Sequence, residues 1–551
     1  MKCEARIKLA NLPDNMNIVD VVDIGNAIAR MCQSLTQAIA HPLSAGVARL
    51  RSANLVSIAI LAIASAAAGA APAASGAPAA PVAWPFDAVA VDRFISHQMA
   101  RHRIPGLALA ITHGDQVVFV RGYGEARGGE PVTGQTQFRI ASLSKSFTAL
   151  AVLQRVEAGQ IELDAPVAHY LPGFTLAEPS VAARITVRQL LNHTSGLADR
   201  GFVNGLGGQQ QTLADRIAGL GAARPVDPPG AAFHYFDPNY QVLARLVEVV
   251  SGQAFDAYLQ QHVFAPLAMR DSVSALTSAL PAPPTHLLAQ GHIMAYGVPL
   301  ALPELSGFLG GSGGVVSTAS DMAHYLIALG NHGKYSGRSV LSANGVSSMQ
   351  TPPVGVASSY AMGWVATNAN GMQIIEHNGV LSTYYADAVL LPQSGYGFVL
   401  LYNAYALSAA TAAFPEIKNG MVALLMGQAP VTGKITLPWL GRGLAALSAV
   451  IVGLAIWNLL RLPRWKAWAV NAPRWKLGWG LFWPLIPALL LFGLPRLLEL
   501  QTGRYFGHVM LARAMPELLM LLAICGALGL VNAVARFPTL ARLRVSRGGP
   551  R

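Results

Sequence analysis

Three apolar stretches near the C-terminus constrain the fold of this chain more than any other feature. They lie at residues 443–460, 477–494 and 518–535, and each has about 18 residues, just enough for a helix to cross the hydrocarbon core of a bilayer. A helix satisfies its own backbone hydrogen bonds in lipid, and membrane helices tolerate prolines such as those of the second stretch. The sequence therefore predicts three transmembrane helices within 443–535; the alternative is three buried helices of a soluble domain.

The positive charge of the chain belongs to this same region. The chain has 551 residues and a formal net charge of +12, and residues 441–551 alone hold fourteen Arg and Lys against two acids. The loop between the first two stretches and the tail at 536–551 are basic and contain no acid, so the positive-inside rule places both in the cytoplasm. The charge does not form a basic stripe interleaved with aromatic residues, and no nucleic-acid partner is expected.

A further apolar run, at residues 55–64, points to export. A basic pair precedes it and small residues follow it, which is the order found in secretory signals. Residues 49–70 are therefore predicted to be a signal peptide or an uncleaved anchor, and the Ala- and Pro-rich residues 71–85 a linker. Two interpretations of residues 1–48 stay open: they lie upstream of the true start, or they are a cytoplasmic extension. The signal and the loop charges independently place residues 86–428 outside the cytoplasm.

Residues 86–428 have the composition of a globular domain. Two β-like runs on either side of a His-Gly-Asp turn predict a hairpin, and helical spacing predicts three amphipathic helices. The predicted elements are strands at 104–112, 116–122, 373–376, 386–391 and 397–402, and helices at 145–158, 240–250 and 321–329. Strands at both ends with helices between them predict an α/β domain whose sheet combines both termini, followed by a linker at 429–442. None of the three cysteines lies in this domain, so its nucleophile is not a cysteine.

Ser142 and Lys145 form a Ser-x-x-Lys motif at the start of a predicted helix. This spacing puts both side chains on one face, about one turn apart. The helix N-terminus favours negative charge at the serine, and a lysine whose pKa is lowered can remove the serine proton. Tyr235 lies on a later loop, and a tyrosine near such a pair can pass the proton to a leaving group. An ordinary helix-starting serine and a tyrosine that packs in the core are the alternatives.

A third segment, His377-Asn378-Gly379, follows a β-like run. A glycine on an edge strand lets the backbone of a substrate approach closely. The amide of the next residue, Val380, could pair with the amide of Ser142 as an oxyanion hole. A single histidine at the end of a strand is more often structural than catalytic, so this segment alone does not define a site.

Taken in order, the three motifs resemble the serine β-lactamase and penicillin-binding-protein superfamily. The branch they resemble contains the class C β-lactamases, D-alanyl-D-alanine carboxypeptidases, D-aminopeptidases and related esterases, and the resemblance covers nearly all of residues 86–428. Further matching stretches lie at 104–107, 159–164, 190–197 and 313–318. The resemblance implies the DD-peptidase/β-lactamase-like α/β fold, which is an antiparallel sheet flanked by helices with a helical subdomain. Three transmembrane helices would follow it here.

The resemblance also implies roles for the matching residues. Ser142 would be the acylated nucleophile, and Lys145 and Tyr235 would share the general acid and base work. His377 stands where many relatives place Lys or His, and Gly379 would lie on the strand that lines the cleft. The resemblance implies no metal and no organic cofactor.

Two positions depart from the pattern of this branch. Asp237 stands where the branch has the asparagine of Tyr-x-Asn, and an ionised carboxylate accepts hydrogen bonds but cannot donate one to a substrate carbonyl. A carboxylate near Lys145 also favours the charged amine. In one interpretation Asn239 supplies the missing amide; in another, Asp237 selects substrates that carry an ammonium group. The second departure is Arg139, where class C β-lactamases have Glu, and it favours the esterase and peptidase branches.

The expected function is that of a membrane-anchored extracytoplasmic serine hydrolase that works through an acyl-enzyme on Ser142. Its expected substrates are D-amino-acid-containing peptides, as for a carboxypeptidase, a D-aminopeptidase or a peptidase that removes a prodrug cap. A broad-specificity carboxylesterase and a non-catalytic penicillin-binding sensor are the alternatives. The expected partners are a small peptide or ester substrate and the lipid bilayer. The expected location is the bacterial inner membrane, with the catalytic domain in the periplasm and the C-terminus in the cytoplasm.

Overall fold

A computed structural model describes residues 86–202, 212–278, 288–369 and 371–546. The predictions for the N-terminal extension, the signal segment and the Ala/Pro linker therefore lie outside the described residues. Within the described ranges the chain forms an α/β domain followed by a group of long apolar helices.

A seven-stranded antiparallel sheet lies at the centre of the α/β domain. Its strands are β1 (Gly106–His113), β2 (Gln116–Arg127), β3 (Glu130–Pro131), β11 (Val365–Ala369), β12 (Met372–Val380), β13 (Tyr385–Leu391) and β14 (Tyr396–Tyr402). Their order is β11-β12-β13-β14-β1-β2-β3. Leu107 of β1 pairs with Tyr402 of β14, so the two ends of the domain meet in one sheet, as predicted from the sequence.

The hairpin predicted at the start of the domain is confirmed. His113 pairs with Gln116, which leaves Gly114 and Asp115 as a two-residue turn. Gly114 has a φ of 59°, a backbone conformation that glycine adopts without steric cost and that tight hairpin turns require.

Eight shorter strands complete the β-structure of the described residues. They are β4 (Phe138–Arg139), β5 (Val273–Ser274), β6 (His292–Ala295), β7 (Val298–Ala301), β8 (Val315–Ser317), β9 (Lys334–Tyr335), β10 (Arg338–Ser339) and β15 (Ala404–Tyr405). Strand β8 pairs with both β4 and β5. This small sheet holds the chain just before the Ser-x-x-Lys motif.

Helices cover both faces of the central sheet. In the α/β domain they are α1 (Ala88–His102), α2 (Ser144–Glu157), α3 (Pro179–Ala182), α4 (Val187–Leu191), α5 (Leu213–Gly219), α6 (Asp237–Ser251), α7 (Phe255–Leu259), α8 (Ala319–Gly330), α9 (Ala343–Gln350) and α10 (Phe414–Leu425). Ala108 and Ala110 of β1 belong to the apolar core shared with α2, α6 and α8. Leu107 and Leu109 point the other way, into the core shared with α1 and α10, because successive side chains of a strand alternate between its faces.

The apolar C-terminal region forms helices longer than the predicted spans. They are α11 (Leu437–Leu460), α12 (Leu462–Ala469), α13 (Arg474–Phe482), α14 (Ile486–Thr502), α15 (His508–Ala514) and α16 (Pro516–Ser546). Three segments are long and apolar enough to cross a membrane: Leu437–Leu460, Trp475–Thr502 and Pro516–Leu543, with mean hydropathies of 2.1, 1.8 and 2.4. Of the prolines in the second segment, Pro484 lies in a short 3₁₀ turn between α13 and α14, Pro487 lies in the first turn of α14, and Pro495 lies inside that helix.

The linker predicted at 429–442 is partly wrong. Helix α11 begins inside it, because the Thr436 side chain accepts a hydrogen bond from the Trp439 N–H and caps the helix. The helix also packs directly on the α/β domain: a Cβ at Gly441 would overlap the backbone of the β6–β7 turn at Tyr296. The boundary at residue 428 therefore does not separate two independent bodies.

The α/β domain and the apolar helices share one buried core. Leu437, Leu494, Leu498 and Leu511 lie in the same apolar cluster as Met294 of the β6–β7 hairpin. Polar contacts reinforce this packing, since the Glu517 carboxylate of α16 accepts the Tyr296 N–H at 2.6 Å. The loop between α14 and α15, residues 503–507, is thereby held against the α/β domain.

Candidate active site

Ser142 lies in a 3₁₀ turn, Ala141–Leu143, that joins strand β4 to helix α2. Ala141 has a φ of 50°, a left-handed conformation that a non-glycine residue adopts only when its surroundings impose it. The turn continues directly into the fourteen residues of α2. Ser142 therefore stands at the N-terminus of a buried helix, where the backbone amides and the helix dipole favour negative charge.

Lys145 is held as an ammonium group by three acceptors. Its side chain is 0% exposed, and its Nζ lies 3.1 Å from Ser142 Oγ and 2.9 Å from the Ser312 carbonyl oxygen. The third acceptor is Asp237 Oδ1, at 2.6 Å. Burial disfavours the charged form, but Asp237 and Tyr235 outweigh burial and raise the pKa of Lys145. An ammonium has three protons and no acceptor, so Lys145 donates to Ser142 in this state.

Two cations contact the ring of Tyr235. Lys145 Nζ is 4.7 Å from the centroid of its ring, and the Arg504 guanidinium carbon is also 4.7 Å from it. The His193 ring packs against the tyrosine ring with 4.4 Å between centroids. Cations on the face of an aromatic ring are attracted to it, so these contacts fix the ring beside Lys145. The structure thus brings Ser142, Lys145 and Tyr235 together as the sequence predicts.

Asp237 is the first residue of α6 and bridges two cations. Its Oδ1 pairs with Lys145 and its Oδ2 pairs with Arg504 Nη2 at 3.0 Å. Burial alone would raise the pKa of this carboxyl, but Lys145 and Arg504 hold it well below its usual value. Each carboxylate oxygen already contacts a cation of the chain. The structure therefore does not support the interpretation in which Asp237 selects a substrate ammonium group.

Arg504 enters the site from the loop 503–507, between the second and third apolar segments. Its Nε contacts Asp199 Oδ2 at 2.8 Å while its Nη2 contacts Asp237. The Tyr505 N–H also donates to Asp199, at 3.0 Å. Burial disfavours the charged guanidinium, but the two carboxylates outweigh burial and raise the pKa of Arg504. No sequence motif identified this residue; the one signal for it was the aspartate at 237, which requires a balancing cation.

The prediction that Asn239 supplies an amide to the cleft is wrong. Asn239 is fully buried, its Oδ1 accepts from Ser195 Oγ at 2.9 Å, and its Nδ2 lies 3.1 Å from His193 Nδ1. Two residues along a helix turn the side chain about 200° around the axis. Asn239 therefore points away from Lys145 when Asp237 points toward it, and it supports the His193 loop.

The His193 ring is a neutral support for Tyr235. Its Nδ1 lies 3.2 Å from the Phe236 backbone nitrogen, which donates to it. Burial, and next the charge on Lys145, lower the pKa of His193 well below its usual value. Because the imidazole is uncharged, it adds no third cation to the site.

Strand β12 continues through the third motif instead of ending before it. His377 pairs with Ala388 of β13 and Val380 with Tyr385, so the motif and Val380 form the last four residues of the strand. Burial, and next the charge on Lys145, lower the pKa of His377 to about 3. His377 is therefore neutral, and its Nδ1 lies 2.6 Å from the Asn378 carbonyl oxygen.

Gly379 lets this strand lie directly against the 3₁₀ turn Ala141–Leu143 that carries Ser142, called the nucleophile turn below. A Cβ at this position would overlap the Ile140 carbonyl oxygen, so the chain itself, rather than a substrate backbone, demands glycine here. Val380 ends the strand one residue later.

Arg139, the second position that departs from the pattern of the resembled branch, is buried and donates from Nη2 to the Ser278 carbonyl oxygen at 2.6 Å, where it holds a neighbouring loop.

Comparisons with known proteins agree with this geometry. The family model described as Beta-lactamase matches residues 91–418. The chain is 29% identical over 356 residues to penicillin-binding protein 4 of Amycolatopsis lactamdurans, over 62% of this chain and 91% of that protein. It is 26% identical over 318 residues to protein flp of Staphylococcus aureus, over 57% of this chain, and spans 62% of the length of flp.

A solved structure shows the same architecture. The octameric penicillin-binding protein homologue from Pyrococcus abyssi superposes with a TM-score of 0.51 and 26% sequence identity, over 63% of this chain and 78% of that chain. The similarity supports the fold that the central sheet and its covering helices display.

Proposed function

Because this chain belongs to the Beta-lactamase family of serine hydrolases, we propose that it cleaves an acyl bond through a covalent acyl-enzyme on Ser142. The observation that carries the proposal is the 3.1 Å contact between Lys145 Nζ and Ser142 Oγ at the start of α2. The nucleophile and the cation that stabilises its anion lie within hydrogen-bond reach of each other, one in the 3₁₀ turn and the other in the first turn of the helix that follows, as nucleophilic catalysis requires.

The charge state of Lys145 assigns the proton-transfer roles. As an ammonium it cannot accept the Ser142 proton, so in this proposal the phenolate form of Tyr235 accepts that proton and becomes a neutral phenol, while Lys145 stabilises the negative charge that develops on Ser142 Oγ. Ser142 Oγ then attacks the substrate carbonyl carbon, and the backbone N–H groups of Ser142 and Val380 stabilise the oxyanion. Tyr235 returns the proton to the leaving amine or alcohol as the carbonyl–heteroatom bond breaks. Water attacks the acyl-enzyme in the second half of the reaction, and Ser142 leaves with its proton restored.

The substrate is a peptide or amide that contains a D-amino acid. The relative from Amycolatopsis lactamdurans and the structure from Pyrococcus abyssi are both named for penicillin binding, and the branch that the three motifs resemble contains D-alanyl-D-alanine carboxypeptidases and D-aminopeptidases. Arg139 in place of the class C glutamate favours a peptidase over an efficient β-lactamase.

The three apolar segments hold the enzyme in the bacterial inner membrane, with the α/β domain in the periplasm. The contact between Arg504 and Asp237 supports this topology, because it requires the loop 503–507 to lie on the same side as the α/β domain. The loop between the first two segments then lies on the opposite side, where its basic residues favour the cytoplasm.

Intact mass of the full-length protein in lipid nanodiscs tests the proposal. The wild type, Ser142→Ala and the control Ser347→Ala are incubated with a fluorophosphonate and, separately, with a penicillin. Ser347 is exposed on α9 and reports non-specific labelling. Adducts on the wild type and on Ser347→Ala, but not on Ser142→Ala, support the acyl-enzyme. A persistent penicillin adduct supports D-peptide recognition, a fluorophosphonate adduct alone favours an esterase, and the absence of any adduct contradicts the proposal.

A further inference from the structure

The loop between the second and third apolar segments contributes a charged side chain to the catalytic centre. Arg504 is only 17% exposed and lies two residues beyond Thr502, where the second segment ends. It follows Asp237 by 267 positions in the sequence. A residue from the membrane part of the chain therefore contacts the same carboxylate that contacts the lysine of the nucleophile.

Four charged groups form one continuous line through the site. Their order is Lys145, Asp237, Arg504 and Asp199, with separations of 2.6, 3.0 and 2.8 Å between contacting atoms. Two cations alternate with two anions, so the line is neutral. The planar guanidinium reaches both carboxylates at once, which the single ammonium of a lysine does less well.

Loss of the Arg504 charge would affect the two carboxylates differently. Asp199, which is 3% exposed, would lose the cation that compensates its burial, and a buried carboxylate without a partner destabilises the fold. Asp237 would keep Lys145 but would gain freedom to turn, and its negative charge would no longer be balanced on the side away from the lysine. Attack on a carbonyl builds negative charge on the substrate oxygen, and an unbalanced anion nearby opposes that charge.

We propose that Arg504 is a positioning residue for acyl transfer: it fixes Asp237 against Lys145 and balances its charge, so that the membrane part of the chain completes the catalytic site. The inference rests on the acyl-enzyme chemistry proposed for Ser142. It also gives a reason for the departure at 237, because an aspartate in this position requires a cation that an asparagine does not. This positioning role of Arg504 therefore exists only while residue 237 is an aspartate, whereas its contact with the Tyr235 ring does not depend on residue 237.

The test is the rate of covalent labelling of Ser142 by a fluorophosphonate at neutral pH, on full-length protein in nanodiscs. The variants are Arg504→Ala, Arg504→Lys, and Arg504→Ala combined with Asp237→Asn or with Asp199→Asn, each compared with the matching single variant. Arg461→Ala is the control, because it removes a charge at the far end of the first apolar segment. Thermal unfolding of each variant reports its folding.

We expect Arg504→Ala to slow labelling about tenfold, which lies within the coupling range of residues in direct contact, and Arg504→Lys to slow it less. Arg461→Ala should label at the wild-type rate. In the Asp237→Asn background, Arg504→Ala should change the rate less than about threefold. The Asp199→Asn background should restore thermal stability to Arg504→Ala but leave its labelling slow.

Two outcomes overturn the inference while wild-type labelling is intact. One is an Arg504→Ala rate within about twofold of the wild type. The other is a slow rate restored by Asp199→Asn and not by Asp237→Asn, which means that Arg504 only holds the loop in place. If the wild type itself is not labelled at Ser142, the acyl-enzyme proposal falls and the inference falls with it.

Discussion

Replacing Gly379 with alanine tests whether strand β12 is docked on the nucleophile turn. The added Cβ would overlap the Ile140 carbonyl oxygen and touch the Ala141 side chain, so strand and turn must separate by about 1 Å or more to restore ordinary contact. Neither segment moves freely. Gly379 pairs with Ala386 of β13, and the Ile140 N–H donates to the Val315 carbonyl oxygen at 3.1 Å.

Two effects of this substitution can be estimated. Overpacking a rigid interior costs about 1 to 3 kcal/mol, and hydrogen bonds on both sides of the contact favour the upper part of that range. A displacement of about 1 Å at a catalytic group lowers the rate by about a hundredfold. Because the turn carries Ser142, we expect Gly379→Ala to label with a fluorophosphonate about a hundred times more slowly and to unfold at a lower temperature.

The assay compares Gly379→Ala with Gly307→Ala in full-length protein. Gly307 has no heavy atom within 4 Å of an added Cβ, so its substitution controls for the loss of a glycine alone. The reasoning is refuted if Gly379→Ala and Gly307→Ala label at the same rate and unfold at the same temperature. That result would mean that the strand does not contact the turn in the folded protein.

Three further predictions concern charge, a buried amide and topology. The Asp237 carboxylate raises the pKa of Lys145, so Asp237→Asn should lower that pKa and shift to lower pH the part of the labelling–pH profile that follows deprotonation of Lys145. The control Asp256→Asn removes an exposed carboxylate and should not shift the profile. An unshifted profile for Asp237→Asn contradicts the ion pair. Asn239→Ala should lower the free energy of unfolding by about 1 to 3 kcal/mol, the cost of buried polar groups left without partners. The protein that remains folded should still be labelled at Ser142. Complete loss of labelling without loss of stability would put Asn239 in the cleft. In intact cells, a membrane-impermeant maleimide should label a cysteine at Ser347 but reach one at Trp468 only after permeabilisation, and the reverse pattern would invert the topology.

The local parts of the site could be predicted because short sequence segments determine them. Ser142 and Lys145 are one helical turn apart, so any helix that starts at this motif brings them together. Gly379 was identified for the right backbone property, although the group that approaches it is Ile140 of the same chain. The fold was predicted for a similar reason, since β-like runs at both ends of the domain could be completed only by pairing with each other.

The predictions that failed required information that no local pattern contains. Asn239 lies in the right helix, but the rotation of that helix about its axis is set by packing, and a shift of two residues turns an amide from the cleft toward His193. The linker prediction failed for a different reason, because the Thr436 side chain caps α11 and starts it at Leu437, a local signal that composition alone does not show. Arg504 resembles any other loop arginine until the fold brings it to Asp237.

Asp237 and Arg504 together explain why the α/β domain and the apolar helices form one structure. The Asp237 carboxylate beside the Ser142–Lys145 pair needs a balancing cation on its other side, and here that cation comes from a loop whose position depends on two apolar segments. The loop can reach the site only if these segments pack against the domain, which they do through Leu494 and Leu498 of the second segment and Leu519 of the third. A change that loosens this apolar packing should therefore impair acyl transfer without altering any residue that touches substrate, because it withdraws the guanidinium from Asp237.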